Sequence, residues 1–134
     1  MNSTNIAMTI GALAATGGVN VETVRYYQRR GLIAQPVRLC GGVRRYGRAD
    51  AERLRFIKRA QAMGFTLTEI ASLLTLQTRR SCRATRELAA AKLQAVDARI
   101  RELRHLRREI VRLVAECDAN TEDTRCPVMD RLVQ

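Results

Sequence analysis

A heptad pattern of apolar residues between Cys82 and Cys117 constrains this chain more than any other feature of its sequence. The apolar residues recur at spacings of three and four, and neither glycine nor proline interrupts the run. Such a pattern predicts one unbroken helix that buries a stripe against another helix. One heptad position holds Leu93, Ile100 and Val114, and the other holds Ala89, Val96, Leu103, Ile110 and Cys117.

The two cysteines that bound this run cannot meet within one helix. They are 35 residues apart, which corresponds to roughly 50 Å along a helix. In an antiparallel homodimer, however, Cys82 of one chain would approach the partner's Cys117. Cys126 follows after a polar loop of eight residues and can fold back to the same place. The spacing therefore favours an antiparallel coiled-coil dimer with a three-thiol site at each end, because a parallel dimer would leave Cys82 isolated.

The cysteines indicate metal or redox chemistry. The chain has no basic-then-apolar signal peptide and no apolar run of the roughly 18 residues that a membrane span needs. We therefore expect a cytoplasmic, nucleoid-associated protein with no membrane partner, in which thiols stay reduced. Three thiolates with no nearby histidine suit a soft metal ion. Cys40 lies far from the other three in sequence and is interpreted as a spare thiol.

Residues 9–31 have the pattern of a helix-turn-helix unit. Thr9 and Asn20 are the expected N-caps of two short helices, which the Gly17–Gly18 pair separates. The second helix, with its arginines and tyrosines, is the expected recognition helix. The residues on it that we predict to contact DNA are Thr23, Arg25, Tyr26 and Tyr27.

Over residues 33–46 the helical spacing of apolar residues is lost, and the sequence predicts a hairpin. Pro36 and the Gly41–Gly42 pair bracket two short segments. Directly after a helix-turn-helix unit, such a hairpin is interpreted as a wing that lies along DNA, whereas a charged solvent loop is the alternative. The wing residues that we predict to contact DNA are Arg44, Arg45 and Tyr46.

The remaining segments complete a mainly α protein. Two further amphipathic helices are predicted at residues 50–63 and 67–74, the second opened by a Thr66–Glu69 capping box. They close a winged helix-turn-helix head of residues 1–76. Residues 77–117 form a polar linker and the dimerisation helix, which Ser81 caps. Residues 118–134 form a metal-binding loop and a short C-terminal helix that Pro127 opens.

The charge balance indicates a polyanionic partner. The formal net charge is +11 and the isoelectric point about 10.9, which favours double-stranded operator or promoter DNA. The sequence offers no nucleophile–base pair, phosphate loop or histidine cluster, so we expect neither an enzyme nor an organic cofactor.

Three motifs resemble the MerR family of winged-helix transcription regulators: TIGALAATGGVNVETVRYYQRRGL, GGVRRYGRAD and RFIKRAQAMGFTLTEIASLL. In metal-responsive members, one cysteine starts the dimerisation helix and two flank the loop after it, which here match Cys82, Cys117 and Cys126. The Cys-x8-Cys-Pro loop, together with GVNVETVRYYQR, looks most like the mercury-resistance regulators. The resemblance implies a homodimer with Hg(II) as inducer. Metal binding would then distort the promoter and align its elements for RNA polymerase.

Other interpretations remain open at this point. Relatives that respond to Pb(II) or Cd(II) carry similar cysteine triads, and Zn(II) is a further alternative. A redox sensor with an interchain Cys82–Cys117 disulfide would crosslink on exposure to peroxide and ignore metals. A zinc-stabilised structural DNA binder would unfold on chelation.

Overall fold

The structure, a computed structural model, describes residues 7–36, 45–121 and 125–134 of the chain. Within these ranges the protein is mainly helical, as predicted. Its chain divides into two compact units, Met1–Thr85 and Arg86–Gln134. Among the described helices, none has the length and apolarity that crossing a membrane requires. The helices are α1 (Ile10–Thr16), α2 (Val21–Arg29), α3 (Arg48–Ala62), α4 (Leu67–Arg79), α5 (Cys82–Ala119) and α6 (Pro127–Val133).

The predicted helix-turn-helix unit is present as α1 and α2. Thr9 caps α1 by accepting a hydrogen bond from the amide of Ala12, and Asn20 caps α2 by accepting one from Thr23. Gly31 follows α2 with a φ of 72°, a left-handed conformation that glycine adopts without penalty. Both caps and the terminating glycine are where the sequence predicts them.

One hydrophobic core holds the first unit together. Helix α1 packs against α2 and α3, and α3 packs against α4. The segment after α2 adds Leu32 and Ile33 to this core, and the guanidinium of Arg53 holds it by donating to the carbonyl of Leu32. The fully buried side chains are Leu13, Val24, Leu32, Ile33, Tyr46, Leu54, Ile57 and Ile70.

The second helix pair differs from the prediction at its ends. Helix α3 begins two residues early, where the carboxylate of Asp50 accepts a hydrogen bond from the amide of Gly47 at 2.8 Å. Helix α4 continues to Arg79, five residues beyond the predicted end at Leu74 and through most of the predicted polar joint. No glycine or proline stops it, and it ends only where Arg80 takes a left-handed φ of 50°.

Most of the second unit is the long helix, whose predicted continuity is confirmed. Helix α5 begins in the first unit, where Ser81 accepts a hydrogen bond from the amide of Ala84, and runs without a break to Ala119. It contains no buried residue. A short helix, α6, follows and begins at Pro127, as predicted.

The predicted hairpin falls largely on residues 37–44, outside the described residues, and Arg44 and Cys40 lie there as well. What the structure describes of this region is its end. The backbone of Tyr46 pairs with that of Met8 in an isolated antiparallel bridge, with both N···O distances at 2.8 Å.

Candidate nucleic-acid interface and metal centre

The outward face of α2 presents a cluster of cationic side chains around one tyrosine. Tyr26 is 39% exposed, and the guanidinium carbons of Arg29 and Arg30 lie 5.7 and 5.9 Å from its ring centroid. Arg30 also donates a hydrogen bond to the Tyr26 hydroxyl at 3.1 Å. Arginines held over an aromatic ring keep a fixed position while their remaining donors stay available for an anion.

Arg25 lies on the same helix and is paired with Glu22. The two side chains approach to 2.6 Å but remain 54% and 70% exposed. An ion pair in water is weak and easily exchanged. Arg25 can therefore leave Glu22 for a phosphate group at little cost.

Thr23 and Arg45 have different surroundings. The hydroxyl of Thr23 donates to the Asn20 side chain at 2.9 Å, so this threonine takes part in the α2 cap. Arg45 is exposed and directly precedes the buried Tyr46. DNA contact by Thr23, Arg25, Tyr26 and Arg45 remains a prediction.

Two tyrosines predicted to contact DNA have buried rings. Tyr27 is 3% exposed and Tyr46 is 2% exposed. Tyr27 lies on the inward face of α2 beside Val24, where helical periodicity also places it. Rings so completely covered contribute to the core of the head, and contact of either residue with DNA remains a prediction.

Each buried tyrosine hydroxyl has a glutamine partner. The Tyr27 hydroxyl donates to Oε1 of Gln61 at 2.7 Å, and Nε2 of Gln28 donates to the Tyr46 hydroxyl at 2.6 Å. Burial raises the pKa of Tyr27 above its ordinary value, although the bond to Gln61 opposes that shift and the neighbouring Tyr26 adds to it. Sequence reasoning did not predict these bonds. Nothing in a single sequence pairs a glutamine with a tyrosine 18 or 34 positions away.

The three predicted metal ligands are free thiols placed at the two ends of α5 and just beyond it. Cys82 and Cys126 are exposed, and Cys117 is half-buried. Cys82 and Cys117 are the first and the thirty-sixth residue of α5, a separation of roughly 50 Å measured along the helix. Within the described part of a single chain, no three potential ligands converge on a metal position.

Both helix cysteines belong to the apolar stripe of α5. Their separation of 35 residues is five heptads, so Cys82 occupies the same heptad position as Val96, Leu103 and Cys117. Side chains along this stripe are 40–61% exposed from Leu93 to Val114. Leu106 and Val111 widen the stripe in its second half and are 53% and 51% exposed. An apolar face of this length is typical of a helix that packs against another helix.

Two family profiles match the sequence. The profile described as "MerR HTH family regulatory protein" matches residues 8–77, and the profile described as "MerR, DNA binding" matches residues 51–113. The chain is also 43% identical to the mercuric resistance operon regulatory protein of Serratia marcescens over 125 residues. That alignment covers 93% of this chain and 87% of the relative.

Two solved structures with bound metal are similar to the whole chain. One is the transcription regulator PbrR691 from Ralstonia metallidurans CH34 in complex with lead(II). It has a TM-score of 0.82 and 35% identity, and the match covers 93% of this chain and 98% of that one. The other is the dual function transcriptional regulator MerR from Bacillus megaterium MB1 in complex with mercury(II) ion. Its TM-score is 0.74 at 35% identity, and the match covers 95% of this chain and 100% of that one.

Proposed function

This chain belongs to the MerR family of helix-turn-helix regulatory proteins, and on that premise we propose that it is a metal-responsive activator of a mercury-resistance promoter. The family and the fold are those of DNA-binding transcription regulators, not of enzymes. Hg(II) is the proposed inducer. Cys82, Cys117 and Cys126 are its proposed ligands. A cytoplasmic location stays a prediction.

The observation that carries the proposal is the placement of the cysteines on α5. Cys82 and Cys117 lie at opposite ends of one helix and on one stripe. We therefore infer that a three-cysteine site takes its ligands from two chains. In an antiparallel dimer, Cys82 of one chain would join Cys117 and Cys126 of its partner, giving one site for each chain. Three thiolates suit soft ions such as those named in the two similar structures.

The charge distribution along α5 supports the antiparallel orientation. Residues 82–92 contain three arginines or lysines and one acidic residue, whereas residues 109–119 contain three acidic residues and one arginine. An antiparallel pair places each basic end beside the partner's acidic end. A parallel pair would bring like charges together, which is unfavourable.

In the proposed mechanism, metal binding changes the relative orientation of the two heads and does not release the dimer from DNA. The dimer stays on its operator in both states, and the recognition helices carry the contacts of Arg25, Tyr26 and their neighbours. Because each metal site joins two chains, ligation favours one geometry of the dimer and thereby distorts the bound promoter for RNA polymerase. A metal ion can act in this way only by binding one pose more tightly than the other.

A titration with competing thiol tests the inducer. Reduced protein is titrated with Hg(II) against excess small thiol, with Pb(II), Cd(II) and Zn(II) in parallel. We expect tight binding of one Hg(II) per chain. This binding should be lost in Cys82→Ala and retained in the matched control Cys40→Ala. Stronger retention of Pb(II) or Cd(II) would keep the mechanism and change the inducer. If no ion binds and peroxide crosslinks the chains, the redox sensor replaces the metal sensor.

Mixed dimers test the sharing of the site between chains. The Cys82→Ala and Cys117→Ala variants each lack a complete site when alone. A dimer with one chain of each kind, in contrast, has one complete site, formed by Cys82 of one chain with Cys117 and Cys126 of the other. Mixing under conditions that exchange subunits is expected to restore Hg(II) binding. Failure to restore it, with exchange verified by mass-tagged chains, would contradict the shared site.

A further inference from the structure

Two matching hydrogen bonds attach α2 to different parts of the head. The Tyr27 hydroxyl bonds to Gln61 on α3 at 2.7 Å, and Gln28 bonds to the Tyr46 hydroxyl at 2.6 Å. Both tyrosine rings are at least 97% buried. The first bond joins two core helices. The second joins α2 to the last residue of the predicted wing.

Tyr46 is fixed at two further points. Its backbone exchanges two hydrogen bonds with Met8, and its ring is part of the core. Arg45 precedes it directly and is exposed. Because adjacent Cα atoms are about 3.8 Å apart, any displacement of Tyr46 is transmitted to Arg45.

We propose that Gln28 and Tyr46 are positioning residues for DNA binding, whose hydrogen bond sets the spacing between the cationic face of α2 and Arg45. This inference rests on the proposed function, since it concerns how the head meets DNA. Neither side chain needs to contact the duplex. Phosphate groups on a rigid duplex have fixed spacings, so two contacts on separate segments form together only if the segments are held at the matching distance.

The chain supplies a matched control for this role. Tyr46→Phe and Tyr27→Phe each remove one buried hydroxyl that makes one bond to a glutamine. Only Tyr46, however, is joined to Arg45. A purely structural role predicts the same outcome for both variants, namely lower stability with unchanged DNA contacts.

The experiment is a double-mutant cycle on the full-length protein with operator DNA. Dissociation constants are measured for wild type, Tyr46→Phe, Arg45→Ala and the double variant, each corrected for active fraction by stoichiometric titration. We expect Tyr46→Phe to weaken binding about tenfold, the size of effect seen for coupled neighbours. Arg45→Ala should weaken the wild type but have almost no further effect in the Tyr46→Phe protein. In the Tyr27→Phe protein, Arg45→Ala should keep its full effect.

A second readout separates lost contact from lost folding. Each phosphate contact contributes about 0.9 to the slope of log affinity against log salt concentration. Tyr46→Phe should lower that slope by about the same amount as Arg45→Ala, since both lose the same contact. Gln28→Met, which removes the donor but keeps the side-chain length, should behave like Tyr46→Phe, and combining the two should add nothing.

Several results would overturn the inference without touching the proposed function. One is unchanged affinity of the Tyr46→Phe protein, and another is a full Arg45→Ala effect in that background. Unchanged DNA affinity of the Arg45→Ala single variant would also overturn it, because Tyr46 would then have no contact to position. Failure of the wild type to bind operator DNA would instead refute the proposed function.

Discussion

Gly17 and Gly18 are adjacent in one turn but are required for different reasons. A Cβ on Gly17 would lie 2.6 and 2.7 Å from two side-chain carbons of Leu54, whose side chain is fully buried. Gly18 has open space around it but a φ of 64°, which disfavours any side chain. The first glycine is required by packing and the second by backbone conformation.

Gly17→Ala should therefore destabilise the head by about 1–3 kcal/mol through overpacking. The cost should shrink in a Leu54→Ala background, which removes the carbon atoms that the new methyl meets. Gly18→Ala provides the control, because its backbone cost of about 1 kcal/mol should be the same in both backgrounds. Urea unfolding of the wild type, the three single variants and the two double variants measures these differences. Equal costs of Gly17→Ala in both backgrounds would contradict the packing explanation.

The buried Tyr27 makes a second prediction at this scale. Burial raises its pKa above the ordinary value of 10.0, so the folded state favours the protonated hydroxyl. The resulting stability is fully present below pH 10 and is lost as the pH rises from there through the folded-state pKa. Tyr27→Phe should weaken the alkaline decline in unfolding free energy, measured between about pH 8 and pH 11. Tyr26→Phe should weaken that decline less than Tyr27→Phe does, because Tyr26 is the smallest of the causes that act on the Tyr27 pKa.

Residue-scale prediction from sequence succeeded where the cause is local. Thr9, Asn20 and Thr66 cap their helices because a short polar side chain reaches an amide three residues ahead. It did not show that the ring of Tyr46 is buried. A tyrosine beside arginines suits DNA contact and core packing equally well, and at the end of the predicted wing only the tertiary packing distinguishes the two.

At the scale of elements, α5 shows what periodicity can predict. The heptad pattern predicted a single helix, and the structure has one from Cys82 to Ala119. Periodicity was less accurate for the end of α4. It predicted an end at Leu74, whereas the helix continues to Arg79. The structure of one chain does not identify what packs against α5. The stripe side chains are 40–61% exposed, which indicates that another apolar surface covers them.

A charge placed on this stripe should separate the dimer. Ile100→Glu puts a carboxylate near the middle of the proposed seam, where burial without a partner is costly. We expect sedimentation of a dimer for the wild type and of a monomer for this variant. Arg108→Glu is the matched control on the opposite, exposed face of α5 and should remain dimeric. A dimeric Ile100→Glu protein would place the interface elsewhere.

For the whole molecule, the positive charge is concentrated in the first unit. Residues 1–85 hold 14 of the 24 arginines and lysines but only four of the 13 acidic residues, which leaves residues 86–134 almost neutral. The charges can be counted from the sequence, but their correspondence to two compact units follows only from the structure. A basic surplus in the first unit is consistent with DNA binding by the helix-turn-helix head.

Operator binding should consequently depend steeply on salt, whereas dimerisation should not. With about six phosphate contacts per dimer, raising salt from 50 to 200 mM is expected to weaken operator binding about 10³-fold. The dimer dissociation constant should rise much less over the same range, because the apolar seam is insensitive to salt and only the charge pairing at the ends of α5 is screened. Fluorescence anisotropy with labelled DNA and sedimentation at matched salt concentrations measure the two. A shallow DNA dependence would mean that the basic surplus of the head does not face the duplex.

The distance between Cys82 and Cys117 along α5 also has a consequence for the timing of the response. If each metal site is shared as proposed, a newly made chain carries only parts of two sites and cannot compete effectively for a scarce ion before it finds a partner. The number of working sensors would then rise with the square of the chain concentration while chains are few. The cell's sensitivity to the metal would be set by how much of this protein it makes as well as by the affinity of the thiols.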